Sequence, residues 1–343
     1  TFGRDYTRSA EQSRQVEAGQ PTLLHNGDTL LGWPDYQRGR VAMVFGTLFA
    51  SPERSRKGDW DTQSYRDTQQ AHRLYRGQLD AYRSLVDKYP DKFRLIETAR
   101  NLEEITVDWN SAAETHPVGL VILMEGAEGV QKPSELAGWW EWGVRIVGLA
   151  WAGTGFCGGT REPGPLTEAG RALLKEMAAL NFTLDLSHMD ERAVRQCLDE
   201  YPGPMIASHA NAAALIEDYS GNRHLGDEII RGIVERDGVI GVIPFCHFLD
   251  YSWKRGDKRA GLTLGTLSNH IDHVCQIAGD AAHVGIGSDF DGGFGRDSAP
   301  ADVDSIADLQ KLVPILAARG YTERDIAAIL GGNWLHHLQE NLP

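Results

Sequence analysis

Asp185-Leu186-Ser187-His188 and Ala207-Ser208-His209 each end an apolar run with a histidine, and Val284-Gly285-Ile286-Gly287-Ser288-Asp289 ends one with an aspartate. A strand buried on both faces reads as a short, continuous apolar run. Ligand-type side chains placed just where such strands stop are what a site at the mouth of a parallel barrel requires. The repetition points to a metal-dependent hydrolase.

Working outward, the same pattern gives eight candidate strands, at 22–26, 41–45, 118–124, 145–150, 183–187, 205–208, 239–244 and 283–288. Helical patterns fall between them at 68–89, 134–142, 168–180, 191–200, 226–236 and 264–278. Gly/Pro punctuation such as Tyr201-Pro202-Gly203-Pro204 separates helix from strand. Strand–helix alternation of this length favours an α/β fold of the (β/α)8 TIM-barrel type over an open doubly wound sheet. The whole chain, 1–343, reads as one barrel domain with an N-terminal extension (1–20) and an insertion (50–117) between the second and third strands. The polar first part of the insertion, 51–68, is expected to form a lobe over the barrel mouth. Its second part, 71–89, reads as an amphipathic helix with Leu74, Leu79, Tyr82, Leu85 and Val86 inward. Extra C-terminal helices are expected within 304–338, the second starting at a Thr322/Asp325 cap.

The 34 Lys+Arg against 48 Asp+Glu leave a formal charge of -14. Such a surface repels phosphate backbones, so nucleic acid is not an expected partner. Cys157, Cys197, Cys246 and Cys275 are widely spaced, which suits reduced thiols better than a disulfide framework. No apolar stretch reaches the roughly 18 residues of a spanning helix. Residues 1–20 lack the apolar core of a signal peptide. A cytoplasmic location is therefore expected, although a first residue other than Met is compatible with a removed leader.

A single strand-end histidine often does no more than bond a backbone carbonyl. Two on consecutive strands, roughly 5 Å apart, can share one ion. Glu125 follows the third strand and precedes Gly126, where its carboxylate could bridge cations; otherwise it is a solvated loop acid or an ion-pair partner. Glu128 stands farther from the strand end. Asp289 and Asp291 could both be turn caps, but Asp289, first after its strand, is also placed to take a proton from water and return it to a leaving amine. In the first strand His25 and Asp28 are three apart, whereas two ligands from one strand normally stand two apart. Either a bulge at Gly27 restores their facing or the pair is Asn26 and Asp28. His247 could line the pocket, while His270, His273, His283, His336 and His337 read as structural.

In combination and in order, several segments resemble the membrane (renal) dipeptidase family, peptidase M19, of the amidohydrolase superfamily. They are Met124-Glu125-Gly126, Trp142-Gly143-Val144-Arg145, Gly164-Pro165-Leu166-Thr167, Leu184-Asp185-Leu186-Ser187-His188 and Ile206-Ala207-Ser208-His209-Ala210-Asn211. Asn222-Arg223-His224-Leu225, Gly285-Ile286-Gly287-Ser288-Asp289-Phe290-Asp291-Gly292 and Gly331-Gly332-Asn333 complete the set. The resemblance runs from about Leu23 to Leu338. It implies a zinc-dependent dipeptidase acting on short peptides, L-Xaa-D-Xaa pairs included, with two zinc ions per chain, or one if the first site is weakened. Glu125 would bridge the ions, His188 and His209 would hold one, and His25 with Asp28 the other. A hydroxide between the ions would attack the scissile carbonyl, Asp289 would shuttle the proton, and Arg223 would grip the substrate carboxylate with two prongs. A homodimer is also implied.

The chain departs from the family pattern at three places. The signature Asp-x-His-x-Asp fits only with one residue inserted; otherwise Asn26 occupies its histidine slot and Leu24 the place of its leading Asp, and either way one ligand is altered. Trp151 stands where renal-type members carry a histidine that polarises the carbonyl, and Ala210 where a serine is common. The alternative reading is a divergent member with a weakened or missing first metal site acting on another amide or lactam, or an inactive barrel. No lipid-anchor signal follows Leu338, so no membrane anchor is expected.

Overall fold

Val118–Glu125 is the longest strand, and seven of its eight residues are buried. Its run Leu120-Val121-Ile122-Leu123-Met124 is covered on both faces, and each such side chain contributes roughly 1.5–3 kcal/mol by leaving water. A strand of that kind needs parallel neighbours and covering helices. The computed structural model, which describes residues 3–343, supplies both.

In chain order the strands are β1 (Met43–Phe49), β2 (Ser51–Pro52), β3 (Ser64–Tyr65), β4 (Phe93–Leu95), β5 (Val118–Glu125) and β6 (Val144–Gly148). Then come β7 (Cys157–Gly159), β8 (Glu162–Leu166), β9 (Thr183–Asp185), β10 (Met205–Ile206), β11 (Ile240–Val242) and β12 (Val284–Ile286). The central sheet runs β1-β5-β6-β9-β10, with β4 also on β5. All its pairs are parallel. A bridge between Ala207 and Ile240 carries the curve on to the parallel pair β11-β12. The outcome is a mixed α/β, TIM-barrel-like architecture. Helices such as Thr68–Lys88, Glu168–Ala179, Glu191–Glu200, Asp227–Glu235 and Leu264–Ala278 match the expected helical patterns closely.

The strand expected at 22–26 is instead a helix, Pro21–Asn26. Proline opens it and Gly27, at φ 69°, closes it, with the Gly27 N–H on the Leu23 carbonyl. That is the usual placing of these two residues at helix ends. No ladder among the described residues joins β12 to β1. Trp334, from the helix Asn333–Asn341, fills the seam: its Nε1 donates to Ile286 O at 3.2 Å and its ring meets Phe45 edge-on at 5.2 Å.

Residues 51–68 are tied to β8 by Arg54, which grips Glu162 with two prongs at 2.7 and 2.6 Å. β4, the helix Ala99–Trp109 and the antiparallel β7–β8 hairpin went unread in the sequence. The capping box at Thr322 and Asp325 is present, but the tail holds three α-helical segments rather than two: Leu312–Ala318, Glu323–Ala327 and Asn333–Asn341. All four cysteines are free. Among the described residues no helix is long and apolar enough to cross a membrane.

Candidate metal centre

Glu125 is the last residue of β5, and the Tyr75 hydroxyl fixes the turn after it by donating to the carbonyls of Glu125 (3.1 Å) and Gly126 (2.8 Å). His188 follows β9 with a left-handed backbone, φ 66°. For a residue with a Cβ that conformation costs about 1–2 kcal/mol and persists only where the surroundings impose it. The surroundings here centre on Asp185. Its Oδ1 accepts from the backbone N–H groups of Ser187 (3.0 Å) and Ser208 (2.8 Å), tying the ends of β9 and β10 together.

The two imidazoles meet the carboxylate. His188 Nε2 lies 2.9 Å from His209 Nε2, and Glu125 Oε1 lies 2.9 Å and 3.2 Å from the two nitrogens. These three are the one group among the described residues whose ligand atoms lie together as a metal site needs. The far ring nitrogens are both engaged. His209 Nδ1 is 2.8 Å from the Ser208 hydroxyl, which donates to Asp185 Oδ2 at 2.5 Å. His188 Nδ1 is 3.0 Å from the Thr160 hydroxyl, which also reaches the His188 carbonyl at 3.3 Å. With each hydroxyl proton spent on an oxygen, the Nδ1 atoms carry the ring protons. Both Nε2 lone pairs then face the carboxylate.

Three lone-pair donors at this spacing repel one another unless a cation or proton lies among them. Donors about 2.0–2.1 Å from a tetrahedral zinc ion stand about 3.3 Å apart, so the triangle fits one ion with little adjustment. Outer partners that fix ring tautomers are the expected second layer of such a site. Where no cation lies in the triangle, a proton fills the same role. Burial lowers both imidazoles; with the Arg223 charge it takes His188 down to about 3, the neutral ligand form. At His209 an added proton on Nε2, shared with Glu125, and the charge of Asp289 reverse the effect of burial and raise it. Glu125, which burial alone would raise, is held well below the usual carboxylate range by its two histidines.

Asp289 faces this cluster. A Cβ on Gly241 or on Gly287 would lie 2.1 Å from Ser208 O, so only glycine allows β10, β11 and β12 to close up here. Asp289 follows two residues later at φ 50°. Burial pushes it up to about 7, with His209 and Arg223 opposing and Glu125 adding to the rise. Arg223 is buried. Its Nη2 donates to His209 O at 2.8 Å and its guanidinium lies 5.3 Å from the Phe248 ring, while Nε and Nη1 have no partner. The Trp151 ring stands 6.0 Å from His188 and meets Phe49 edge-on at 5.2 Å.

The first-strand pair does not join the cluster, because the helix Pro21–Asn26 carries it elsewhere. His25 stacks on Trp60 at 3.9 Å, and Asp28 pairs with Arg296 at 3.4 Å. Asn26 gives its amide to the Asp291 carbonyl. Of the other histidines, His247 bonds Trp253 O and His273 pairs with Asp227. The supporting roles of Thr160, Asp185 and Ser208 went unread, although a polar Asp185 inside an apolar run is a signal. His224 was also missed; both its ring nitrogens are buried and unpartnered.

A three-donor pocket at the carboxyl ends of parallel strands stands where metal-dependent hydrolases of the barrel class carry their ion. The sequence model of membrane dipeptidase (peptidase family M19) matches residues 26–341, and the chain belongs to that family. It is a hydrolase of the metallo-dipeptidase type. It is 33% identical over 272 residues to an uncharacterized protein in the pqqA 5' region of Klebsiella pneumoniae, covering 76% of this chain and 94% of that one. An uncharacterized dipeptidase of Schizosaccharomyces pombe is 30% identical over 75% of this chain and 60% of its own length. Among solved structures, the family M19 dipeptidase AC superimposes with a TM-score of 0.78 at 25% identity, covering 97% and 96% of the two chains. A metallopeptidase from Rhodobacter sphaeroides, liganded with a phosphinate mimic of the dipeptide L-Ala-D-Ala, has the same fold, with a TM-score of 0.77, 24% identity and 97% coverage of each chain.

Proposed function

We propose that the protein hydrolyses the amide bond of dipeptides, L-Xaa-D-Xaa pairs included, with a zinc ion held by Glu125, His188 and His209. The convergence of those three ligand atoms within about 3 Å of one another carries the reading. When bound, the ion supplies Lewis-acid polarisation of the scissile carbonyl and acidifies water. Asp289 acts as the proton carrier, taking a proton from the attacking water and delivering it to the leaving amine nitrogen. Arg223 offers an unpartnered Nε or Nη1 hydrogen, together with the second hydrogen of Nη2 beside it, to the substrate's terminal carboxylate, a two-pronged match. Trp151, beside His188, walls the substrate cleft. With His25 and Asp28 engaged elsewhere, the geometry favours one ion per chain. The four free cysteines suit a cytoplasmic setting.

A panel of L,L and L,D dipeptides, assayed before and after chelation with elemental analysis in parallel, tests this reading. The expected result is hydrolysis that disappears on chelation and returns with zinc, at about one ion per chain. Hydrolysis unaffected by complete metal removal would sink it. Arg223→Met is expected to raise KM about 10–100-fold for free-carboxylate dipeptides and far less for their C-terminal amides, since a charge-assisted pair is worth about 1.5–3 kcal/mol. Equal effects on acid and amide would remove Arg223 from the carboxylate site.

A further inference from the structure

Residues 3–20 precede the stretch that matches the family, which begins at residue 26. Yet the Arg4 side chain is only 4% exposed. We propose that Arg4 is a positioning residue that holds the Asp289–Asp291 turn through Asp291 and so aims Asp289 at the metal centre. The proposal rests on the role given to Asp289 above.

Arg4 ties three parts of the molecule together. Its Nε lies 3.1 Å from Glu17 Oε2, at the end of the helix Ala10–Glu17, and its Nη2 donates to Gly27 O at 2.5 Å. Its Nη1 lies 3.1 Å from Asp291 Oδ2, in ion-pair range though off the line of a hydrogen bond. The Asp291 side chain is 3% exposed. It also accepts from Leu30 N at 3.1 Å, from the Thr29 hydroxyl, and from the Tyr6 hydroxyl at 3.3 Å. All these other donors are neutral, so without Arg4 a buried carboxylate would be left with no compensating cation, a costly state.

The turn needs an external hold. Asp289 and Asp291 both have left-handed backbones, at φ 50° and 63°. The coil is tight enough that a Cβ on Gly292 would lie 2.0 Å from Asp289 Oδ1. Removing the Asp291 anchor lets this strained coil relax, and Asp289 sits two residues away. A misplacement near 1 Å can cost about 100-fold in rate.

The experiment compares Arg4→Met, Arg4→Lys, Asp291→Asn and the Arg4→Met/Asp291→Asn double variant. The readouts are kcat, KM, zinc content and hydrogen exchange of peptides spanning 286–296. Arg4→Met is expected to lower kcat about 10–100-fold, with KM and zinc content within about twofold of wild type, and to speed exchange in 286–296 but not in 183–189. Arg4→Lys should recover most of the loss, and on the Asp291→Asn background Arg4→Met should add less than about threefold. Unchanged kcat and exchange in Arg4→Met, an equal loss on both backgrounds, or faster exchange throughout the chain would overturn the proposal. If the wild-type protein cleaves no dipeptide, the catalytic reading fails by itself, and the exchange comparison still decides whether Arg4 holds the turn.

Discussion

Replacement of Asp289 by asparagine is expected to leave the metal in place and to cut kcat about 10²–10⁴-fold, the range that a positioned acid–base group contributes. The amide keeps the size and shape of the carboxyl group, and Asp289 is not one of the three converging ligands, so ion retention should survive. What is lost is a group that can take up and release a proton. Burial raises Asp289 to about 7, and a cation in the adjacent triangle would lower it. The base form is the one that accepts a proton from water. Activity should therefore fall as pH drops through that value, on an acid limb at or below about pH 7. The limb should vanish from the residual activity of Asp289→Asn. Steady-state kinetics from about pH 5 to 9 with parallel zinc analysis reads both effects. A variant that keeps its metal and full turnover would remove Asp289 from the proton path.

His188→Ala should have the second large effect, the loss of tight metal binding. Only Glu125 and His209 would remain to hold an ion. Loss of one outer partner of a ligand typically costs 10–100-fold in affinity, and loss of the ligand itself should cost more. Chelated wild-type protein should behave alike. Because an ion binds the folded chain and not the unfolded one, zinc at about 100 times its Kd should stabilise the wild type by about 2.7 kcal/mol. The variant should gain almost nothing. Thermal unfolding with and without zinc measures this directly, and an equal zinc-induced rise in Tm for both proteins would place the ion elsewhere.

How far the sequence could be read follows from how each element is held. β5, β9, β10 and β12 are covered by neighbours, so each is an apolar run, and the polar residue just beyond each run is legible as a candidate ligand or base. The family resemblance rested on those same strand ends, and the match over residues 26–341 bears it out. Residues 22–26 misled because Thr22-Leu23-Leu24-His25-Asn26 is too short for periodicity to separate strand from helix. The bracketing Pro21 and Gly27 carried the better signal, and with the helix His25 and Asp28 left the expected site. Arg223 could equally have been a surface charge, and only its burial with two orphaned donors distinguishes it. Arg4 was illegible for a plainer reason: a charged segment ahead of a domain normally lies in water, and nothing local says that one of its cations will be buried against Asp291.

The most direct test is an anomalous difference map recorded at the zinc edge from crystals of the protein grown with zinc. The account predicts one strong peak per chain, about 2.0–2.2 Å from Glu125 Oε1, His188 Nε2 and His209 Nε2. A map without density among those three atoms, or with zinc held by other side chains while the triangle stays empty, would contradict it.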